Sequence, residues 1–178
     1  FNSYSYPGGK IPGYAEYAIA INKLYCQKHG YDYIQIENEQ GDLPPYWMRV
    51  KDAYDLLKNN KYDAIVYMDL DAIFKDFSTP LTTLLDNEYN IYIGRDPPSS
   101  IIKDFNTLIN TGCFIIKNNK WSKEFLREWL NACMDDDSNI AGVCKHDWEF
   151  NGEKWNCKGC KWAGIKYEQG MFANLYLS

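Results

Sequence analysis

Apolar and polar positions follow two periods along the chain, one typical of helices and one typical of strands. Over residues 14–28 apolar side chains recur every three or four positions, which predicts a helix with one buried face. The apolar positions of this face are Tyr14, Tyr17, Ala18, Ile21, Leu24 and Tyr25. The same spacing predicts a second helix over residues 47–59, just after Pro44 and Pro45.

Runs of β-branched and aromatic residues predict the strands. Residues 64–68 form a continuous apolar run, which is typical of a central strand covered on both faces. Further strands are predicted at residues 31–36, 89–93 and 113–116, and further helices at 121–133 and 169–177. Because strands alternate with helices, we predict an α/β fold with a mostly parallel central sheet and helices on both faces.

One stretch, residues 135–162, departs from this alternation. It holds three consecutive Asp residues, several Gly residues and aromatic residues without a clear period, so we predict a long surface insertion. With 178 residues the chain is long enough for one compact core and short for two. We therefore predict a single domain over residues 1–178.

The composition suits a folded domain that binds a small ligand. Hydrophobic residues make up 46% of the chain, and its formal net charge is −5. Its 19 Lys and Arg residues are scattered, which argues against a nucleic-acid partner. No apolar run approaches the about 20 residues of a membrane span. The sequence starts at Phe1 without a Met, so the compartment stays open: the Golgi lumen if an anchor lies outside the sequence, otherwise the cytoplasm.

Two carboxylates directly follow the central strand. Asp69 and Asp71 are two residues apart, so on an extended segment both side chains point to one side while Leu70 points into the packing. Carboxylate oxygens suit Mg²⁺ and Mn²⁺, which keep positions for phosphates and water. A cation there would neutralise a diphosphate leaving group, and ligands bind at the carboxyl ends of strands in open α/β sheets. The alternative is a turn or a helix cap.

The predicted insertion contains a second group of candidate metal ligands. Cys144 and His146 are followed by Cys157 and Cys160, a spacing that suits a tetrahedral zinc site. Such a zinc ion would be structural, because four protein ligands leave no open position for catalysis. Disulfides and unpaired thiols are the alternatives.

Four segments carry a pattern that extends over nearly the whole chain outside the insertion. They read NKLYCQKHGYDY at residues 22–33, YDAIVYMDLDAIF at 62–74, NTGCFIIKNNKWS at 110–122 and YEQGMF at 167–172. Together they resemble successive blocks of the galactosyl-, mannosyl- and xylosyltransferase family, which includes xyloglucan xylosyltransferases. The resemblance implies a GT-A fold and a UDP- or GDP-sugar donor. It also implies a carbohydrate acceptor and a Mn²⁺ or Mg²⁺ held by Asp69 and Asp71.

The resemblance also implies roles for other residues. Asp69 would lie near the donor ribose or the metal, and Asp71 would be the firmer metal ligand. Gln169, with Glu168 beside it, would lie near the anomeric carbon of the donor sugar. In a retaining enzyme these two residues would stabilise an oxocarbenium-like centre, whereas in an inverting enzyme Glu168 would be the base.

Several implied positions have a simpler alternative. Arg49 and Lys51 correspond to basic residues near the donor, or else they lie on an exposed helix face. Asn110 begins a loop that faces donor or acceptor, or else a plain turn in which Gly112 supplies backbone freedom. The family completes the metal shell with a His beyond the last core helix. Here a segment outside the sequence, water or His146 would have to do so.

Two other functions compete with sugar transfer. A sugar-nucleotide pyrophosphorylase would share the sheet and the carboxylates, but it should have a Gly-rich phosphate loop, of which residues 7–10 are a poor version. The non-enzymatic alternative is an inactive GT-A-fold domain that binds carbohydrate or another protein. The pair of Asp69 and Asp71 together with Gln169 favours the enzyme.

Overall fold

Helices and strands alternate along the chain in the computed structural model, which describes residues 1–4, 11–38, 43–95, 109–132, 147–150, 155–158 and 167–177. In chain order the elements are β1 (Asn2–Tyr4), α1 (Gly13–His29), β2 (Gln35–Glu37), α2 (Pro45–Lys58), β3 (Ala64–Met68), a 3₁₀ helix (Leu81–Leu84), β4 (Ile91–Gly94), β5 (Asn110–Lys117), α3 (Lys120–Asn131), β6 (Asp147–Phe150), β7 (Trp155–Lys158) and α4 (Glu168–Leu177). The predicted α/β class is confirmed, and element bounds differ from the predicted ones by a few residues.

Local chemistry explains where the long helices begin and end. Gly30 adopts a left-handed conformation with a φ of 71° and ends α1. Pro45 occupies the first turn of α2, where a missing amide hydrogen costs nothing. The side chain of Asn119 accepts a hydrogen bond from the Ser122 amide at 2.9 Å and caps α3.

The strands form a small mixed arrangement. β1 pairs with β2 in parallel, and β5 lies between β3 and β4, antiparallel to both. Backbone hydrogen bonds also join β1 to β3: the Phe1 amino group donates to the Val66 carbonyl, and the Met68 amide donates to the Phe1 carbonyl. Strand β1 therefore lies beside β3.

The prediction of a mostly parallel sheet is wrong, because the largest sheet, β3-β5-β4, is antiparallel. The prediction assumed that a crossover helix follows every strand. Between β3 and β4 every residue is described, and the helical segment there is the short 3₁₀ helix. β5 is antiparallel to both of its neighbours, and antiparallel strands can pair without a crossover helix between them.

Two separate apolar clusters place helices on both faces of the strands. The larger cluster lies between the sheet and α2, α3 and α4. Its buried members are Trp47, Val50, Ala53, Leu57, Ile65, Tyr67, Phe114, Ile116, Leu126, Trp129, Met171 and Phe172. The smaller one joins Ala15 and Ile19 of α1 to Leu70. Because α1 leads from β1 to β2 and α2 leads back to β3, right-handed connections place these two helices on opposite faces.

The buried face predicted for α1 is partly wrong. Tyr17 is 75% exposed, and Tyr14 and Leu24 are also exposed. The buried positions are Ala15, Ala18, Ile19, Asn22 and Tyr25, which have helical spacing too. Asn22 made this stripe look polar, but its side chain donates to the Ala72 carbonyl and accepts from the Phe74 amide, so its burial is compensated.

The predicted insertion contains a β-hairpin in its described part. β6 and β7 pair in antiparallel fashion, with Trp148 opposite Cys157. Cys144, His146 and Cys160 lie outside the described residues, and so do residues 7–10, so the zinc site and the poor phosphate loop stay predictions. The single-domain assignment is also a prediction still. Within the described residues no helix has the length and apolar character that a membrane crossing needs.

Candidate functional site

Asp69 and Asp71 lie at the carboxyl end of β3, but the chain there is not extended. The Ala72 amide donates to the Asp69 carbonyl at 3.0 Å, which closes a turn over Leu70 and Asp71. Leu70 is buried against α1 as predicted, and Asp71 is exposed. The expectation of two parallel prongs on an extended segment is therefore wrong, because the chain turns where β3 ends.

One oxygen of the Asp69 carboxylate is fully engaged. The Tyr67 hydroxyl donates to Oδ1 at 2.5 Å, and Arg49 Nη2 lies 3.1 Å from the same oxygen. The Asp69 amide donates to the Gly112 carbonyl at 2.7 Å, which joins the end of β3 to the start of β5. The side chain of Asp69 is still 35% exposed, so it can reach a ligand.

Arg49 connects the end of β3 to the start of α4. Its side chain is only 12% exposed, and its Nη1 lies 3.5 Å from Glu168 Oε1 and 3.3 Å from the Thr111 carbonyl oxygen. Burial opposes its charge, but Tyr67, Glu168 and Asp69 outweigh burial and raise the pKa of Arg49. Arg49 is therefore a buried cation, and an exposed helix face is the wrong interpretation for it.

Lys51 takes a different position on the same helix. Its Nζ pairs with Asp55 Oδ2 at 3.1 Å, an i,i+4 pair along α2. Both side chains are substantially exposed, so this pair adds little to stability. The implied role of Lys51 near the donor stays a prediction.

Glu168 and Gln169 begin α4 and are both buried. The Thr111 hydroxyl donates to Glu168 Oε1 at 2.8 Å, and the Thr111 amide donates to Gln169 Oε1 at 3.1 Å. Burial raises the pKa of Glu168, while Arg49 and the Thr111 hydrogen bond oppose that rise. The indole of Trp129 donates to the Glu168 carbonyl at 2.7 Å and fixes the start of the helix.

Asn110 and Gly112 belong to β5 and not to a loop or turn before it. Asn110 Oδ1 accepts a hydrogen bond from the Gly112 amide at 2.7 Å. The φ of Gly112 is outside the left-handed region, which among the described glycines is occupied by Gly30. The suggestion that Gly112 supplies backbone freedom is therefore wrong, and its small size is what the structure uses.

The site thus brings Arg49, Asp69, Thr111, Glu168 and Gln169 together at one end of β3 and β5; we call these five residues the Arg49 cluster. Four elements or their ends contribute to it: α2, β3, β5 and α4. Sequence reasoning gave no role to Tyr67, Thr111 or Trp129. Tyr67 and Ile65 are two residues apart in β3, so their side chains share the face that packs against α2. This period of two was the signal in the sequence that could have placed Tyr67 beside the site.

Two buried polar atoms of the Arg49 cluster lack a hydrogen-bond partner within the described residues. They are Arg49 Nε and Glu168 Oε2. Buried polar atoms are nearly always paired, so unpaired ones indicate either a functional site or a bound water or ligand. Together with the raised pKa values of Arg49 and Glu168, they make the Arg49 cluster a candidate functional site.

Comparisons with known proteins identify the family of this chain. Residues 35–156 match the nucleotide-diphospho-sugar transferase family. Probable glycosyltransferase 3 of Oryza sativa subsp. indica is 29% identical over 111 residues, which cover 61% of this chain and 24% of that protein. Xyloglucan 6-xylosyltransferase 4 of Arabidopsis thaliana is 30% identical over 113 residues, which cover 61% of this chain and 22% of that protein. The chain thus spans about a quarter of the length of the curated relatives it matches.

A solved structure is similar in fold. It is the crystal structure of a glycosyltransferase involved in the glycosylation of the major capsid of PBCV-1, with a TM-score of 0.56. The match covers 79% of this chain and 70% of that one at 17% identity, so it concerns the fold alone. The resemblance predicted from the four sequence segments is confirmed by these matches.

Proposed function

Because the chain belongs to the nucleotide-diphospho-sugar transferase family, we propose that it is the donor-binding core of a glycosyltransferase. In this proposal a sugar passes from a nucleotide-diphosphate donor to a carbohydrate acceptor with the help of Mn²⁺ or Mg²⁺. The observation that carries the proposal is the Arg49 cluster, which joins the carboxylate after β3 to the two polar residues that begin α4.

The position of the cluster supports transfer chemistry. Ligands of open α/β sheets bind at the carboxyl ends of strands, where Asp69 lies. Glu168 and Gln169 are side by side on a buried helix start, so their side chains have little freedom to move. Groups held in this way can stabilise charge that develops during a reaction without reorganising.

The two aspartates have the chemistry that a hard cation requires. Arg49 and Tyr67 both contact Oδ1 of Asp69 and not Oδ2. Asp71, two residues further along the chain, is exposed. Carboxylate oxygens with room for water and phosphate fit Mg²⁺ or Mn²⁺. When bound, the cation would neutralise the diphosphate leaving group. Among the described residues no group of three His, Cys, Asp or Glu side chains converges. In this proposal the metal shell is completed by water and substrate phosphate, by His146 or by a segment outside the sequence.

The relatives favour a pentose as the transferred sugar. One is named xyloglucan 6-xylosyltransferase 4, and two others carry the name 'Probable xyloglucan 6-xylosyltransferase'. We therefore place UDP-xylose first among the candidate donors and a glucan first among the acceptors. GDP-sugars and donors that carry a hexose are the alternatives, and the melting experiment includes them.

Glu168 and Gln169 have distinct roles in the proposed reaction. Gln169 Oε1 accepts a hydrogen bond from the Thr111 amide, which holds its side-chain amide against the start of β5. Glu168 shares Oε1 with Arg49 and Thr111, so its other oxygen, Oε2, is the one left to accept a proton or a hydroxyl hydrogen bond. In an inverting reaction Glu168 would take the acceptor proton, and in a retaining reaction it would stabilise the cationic sugar.

The proposal is tested by ligand-dependent melting. The protein is titrated with Mn²⁺ and with UDP- and GDP-sugars, separately and together, and compared with Asp71→Ala. A ligand that binds only the folded state at about 100 times its Kd stabilises it by about 2.7 kcal/mol. We expect a rise in Tm that needs both the cation and one nucleotide and that Asp71→Ala abolishes.

The control is Asp32→Ala, which removes an exposed aspartate that pairs with Lys61. It should respond to cation and nucleotide like the unchanged protein. An equal shift in Asp71→Ala would contradict the metal role of Asp71, and no shift with any donor would contradict the transferase proposal. Transfer itself is then measured with the binding donor and glucan oligosaccharides.

A further inference from the structure

The side of Gly112 that would carry a β-carbon in any other residue is filled by two oxygen atoms. A β-carbon there would lie 2.5 Å from Asp69 Oδ2 and 2.8 Å from Asn110 Oδ1. Comfortable contacts between nonbonded heavy atoms lie at roughly 3.5 Å or more. Even alanine is therefore excluded from position 112 while Asp69 keeps its present orientation.

The Asp69 carboxylate cannot simply swing away. Its Oδ1 accepts a hydrogen bond from the Tyr67 hydroxyl at 2.5 Å and pairs with Arg49 Nη2 at 3.1 Å. Its own amide donates to the Gly112 carbonyl at 2.7 Å, which holds the two backbones together. A methyl group at position 112 would push Oδ2 aside, so the carboxylate would have to turn about Oδ1 or give up its contacts with Tyr67 and Arg49.

We propose that Gly112 is a positioning residue for Asp69. The missing β-carbon lets Oδ2 lie against the Gly112 backbone of β5, while Oδ1 keeps its contacts with Arg49 and Tyr67. The orientation of the carboxylate that would bind the cation is then set by the register of β5 against β3, in which Met68 lies opposite Cys113. This inference rests on the proposed function, and it identifies Gly112 as the residue that orients the Asp69 carboxylate toward the proposed cation.

A second glycine in the same sheet provides a matched control. A β-carbon on Gly94 of β4 would lie 3.4 Å from the Asn110 carbonyl oxygen and 3.7 Å from that of Cys113, which are ordinary contacts. Gly94→Ala therefore changes the same residue type near the same strand without touching the Asp69 carboxylate. An effect that came only from replacing a glycine in a strand would appear in both Gly94→Ala and Gly112→Ala.

The first measurement is the cation concentration that gives half of the maximal UDP-dependent rise in Tm. Displaced groups around a metal site commonly cost 10- to 100-fold in metal affinity, so we expect Gly112→Ala to need on the order of ten times more Mn²⁺. Gly94→Ala should match the unchanged protein. Gly112→Ala with an unchanged Mn²⁺ requirement would overturn the proposal.

A second measurement needs neither cation nor nucleotide. Urea unfolding is compared for the unchanged protein, Gly112→Ala, Asp69→Ala and the double variant. The proposal expects Gly112→Ala to lower the unfolding midpoint and to lower it less in the Asp69→Ala background, where the opposing carboxylate is gone. An equal loss in both backgrounds overturns the proposal even if the protein binds no donor, so its failure is distinguishable from failure of the proposed function.

Discussion

At the scale of single residues, Arg49 holds two carboxylates that come from distant parts of the chain. Its guanidinium lies 3.1 Å from Asp69 Oδ1 and 3.5 Å from Glu168 Oε1, and its side chain is almost fully buried. Removing one member of a buried charged group leaves another without its partner, which costs more than the pair itself contributes. Variants of Arg49 would therefore report on folding as well as on function, and Glu168 is the better residue to change.

Glu168→Gln tests the raised pKa of this carboxyl group. Burial raises it above the usual 4.5, so if an anionic Glu168 is required, kcat/KM should fall on the acid side at a pH above that value. Glu168→Gln should lower kcat/KM and remove this acidic limb. The measurement is the pH profile of kcat/KM for both proteins, with Glu124→Gln, an exposed glutamate on α3, as the control.

The same shift predicts a stability difference with a definite sign. A carboxyl group whose pKa is raised by folding favours the folded state below its unfolded pKa, and this contribution is lost as the pH rises through the folded pKa. Relative to Glu168→Gln, the unchanged protein should thus lose stability as the pH rises above 4.5, the ordinary pKa of a glutamate. A difference that moves in the opposite direction would show that Arg49 outweighs burial.

At the scale of elements, α4 depends on α3 for its position. The Trp129 indole is fully buried and donates to the carbonyl of Glu168, the first residue of α4. Trp129 also packs edge-on against Phe172, one turn further along. The helix that begins with both candidate catalytic residues is therefore held by Trp129 of α3, in addition to its contacts with Arg49 and Thr111.

Trp129→Phe should destabilise the protein by about 1–3 kcal/mol, because the Glu168 carbonyl loses its donor in a buried place. Trp121→Phe is the matched control, since Trp121 lies on the exposed side of the same helix. The control should stay within about 0.5 kcal/mol of the unchanged protein. Urea unfolding measures both, and equal losses would contradict the role given to the Trp129 hydrogen bond.

Elements differ in how well the sequence predicts them, and the reason is physical. α2 and β3 were predicted correctly, because each places apolar residues on the face that the core covers. In α1 two stripes have helical spacing, and the buried one contains Asn22, whose partners are backbone groups beyond β3. The direction of β5 was missed for a similar reason, since strand direction depends on a pairing between distant segments.

The same limit on prediction from sequence applies to single side chains of the candidate site. The resemblance implied that Asp69 lies near the ribose or metal and that Glu168 and Gln169 lie near the anomeric carbon of one donor. These roles stay predictions, and the structure brings the three residues together around Arg49. The turn at Asp71 and the close approach of Gly112 to Asp69 could not be predicted, because each depends on where one backbone passes another.

At the scale of the whole molecule, the two faces of the strands have different tasks. The α2–α3–α4 face carries the larger apolar cluster and the Arg49 cluster. The α1 face carries a smaller cluster and a cavity of about 460 Å³ lined in part by Val66, Met68 and Ile115. Because the Arg49 cluster lies on the other face, we expect changes in the smaller apolar cluster of the α1 face to affect stability more than binding of the proposed donor.

Tyr25→Phe tests this separation. The buried Tyr25 hydroxyl donates to the Thr79 carbonyl at 2.6 Å, a bond that joins α1 to the segment after β3. Its loss should cost about 1 kcal/mol and lower Tm. The additional rise in Tm that cation and nucleotide produce should stay the same, because distant independent sites contribute additively. A smaller rise would show that the two faces are coupled.

The antiparallel pairing of β5 with β3 also sets which kinds of mutation this region can accept. Side chains alternate between the two faces of a strand, so adding or deleting one residue between Asn110 and Phe114 would exchange the faces of everything after it. Phe114 and Ile116 would leave the core, and a bulkier residue than Gly112 would meet Asp69. The start of β5 is therefore a place where the number of residues matters more than the identity of most of them, and length variation among relatives should be absent there.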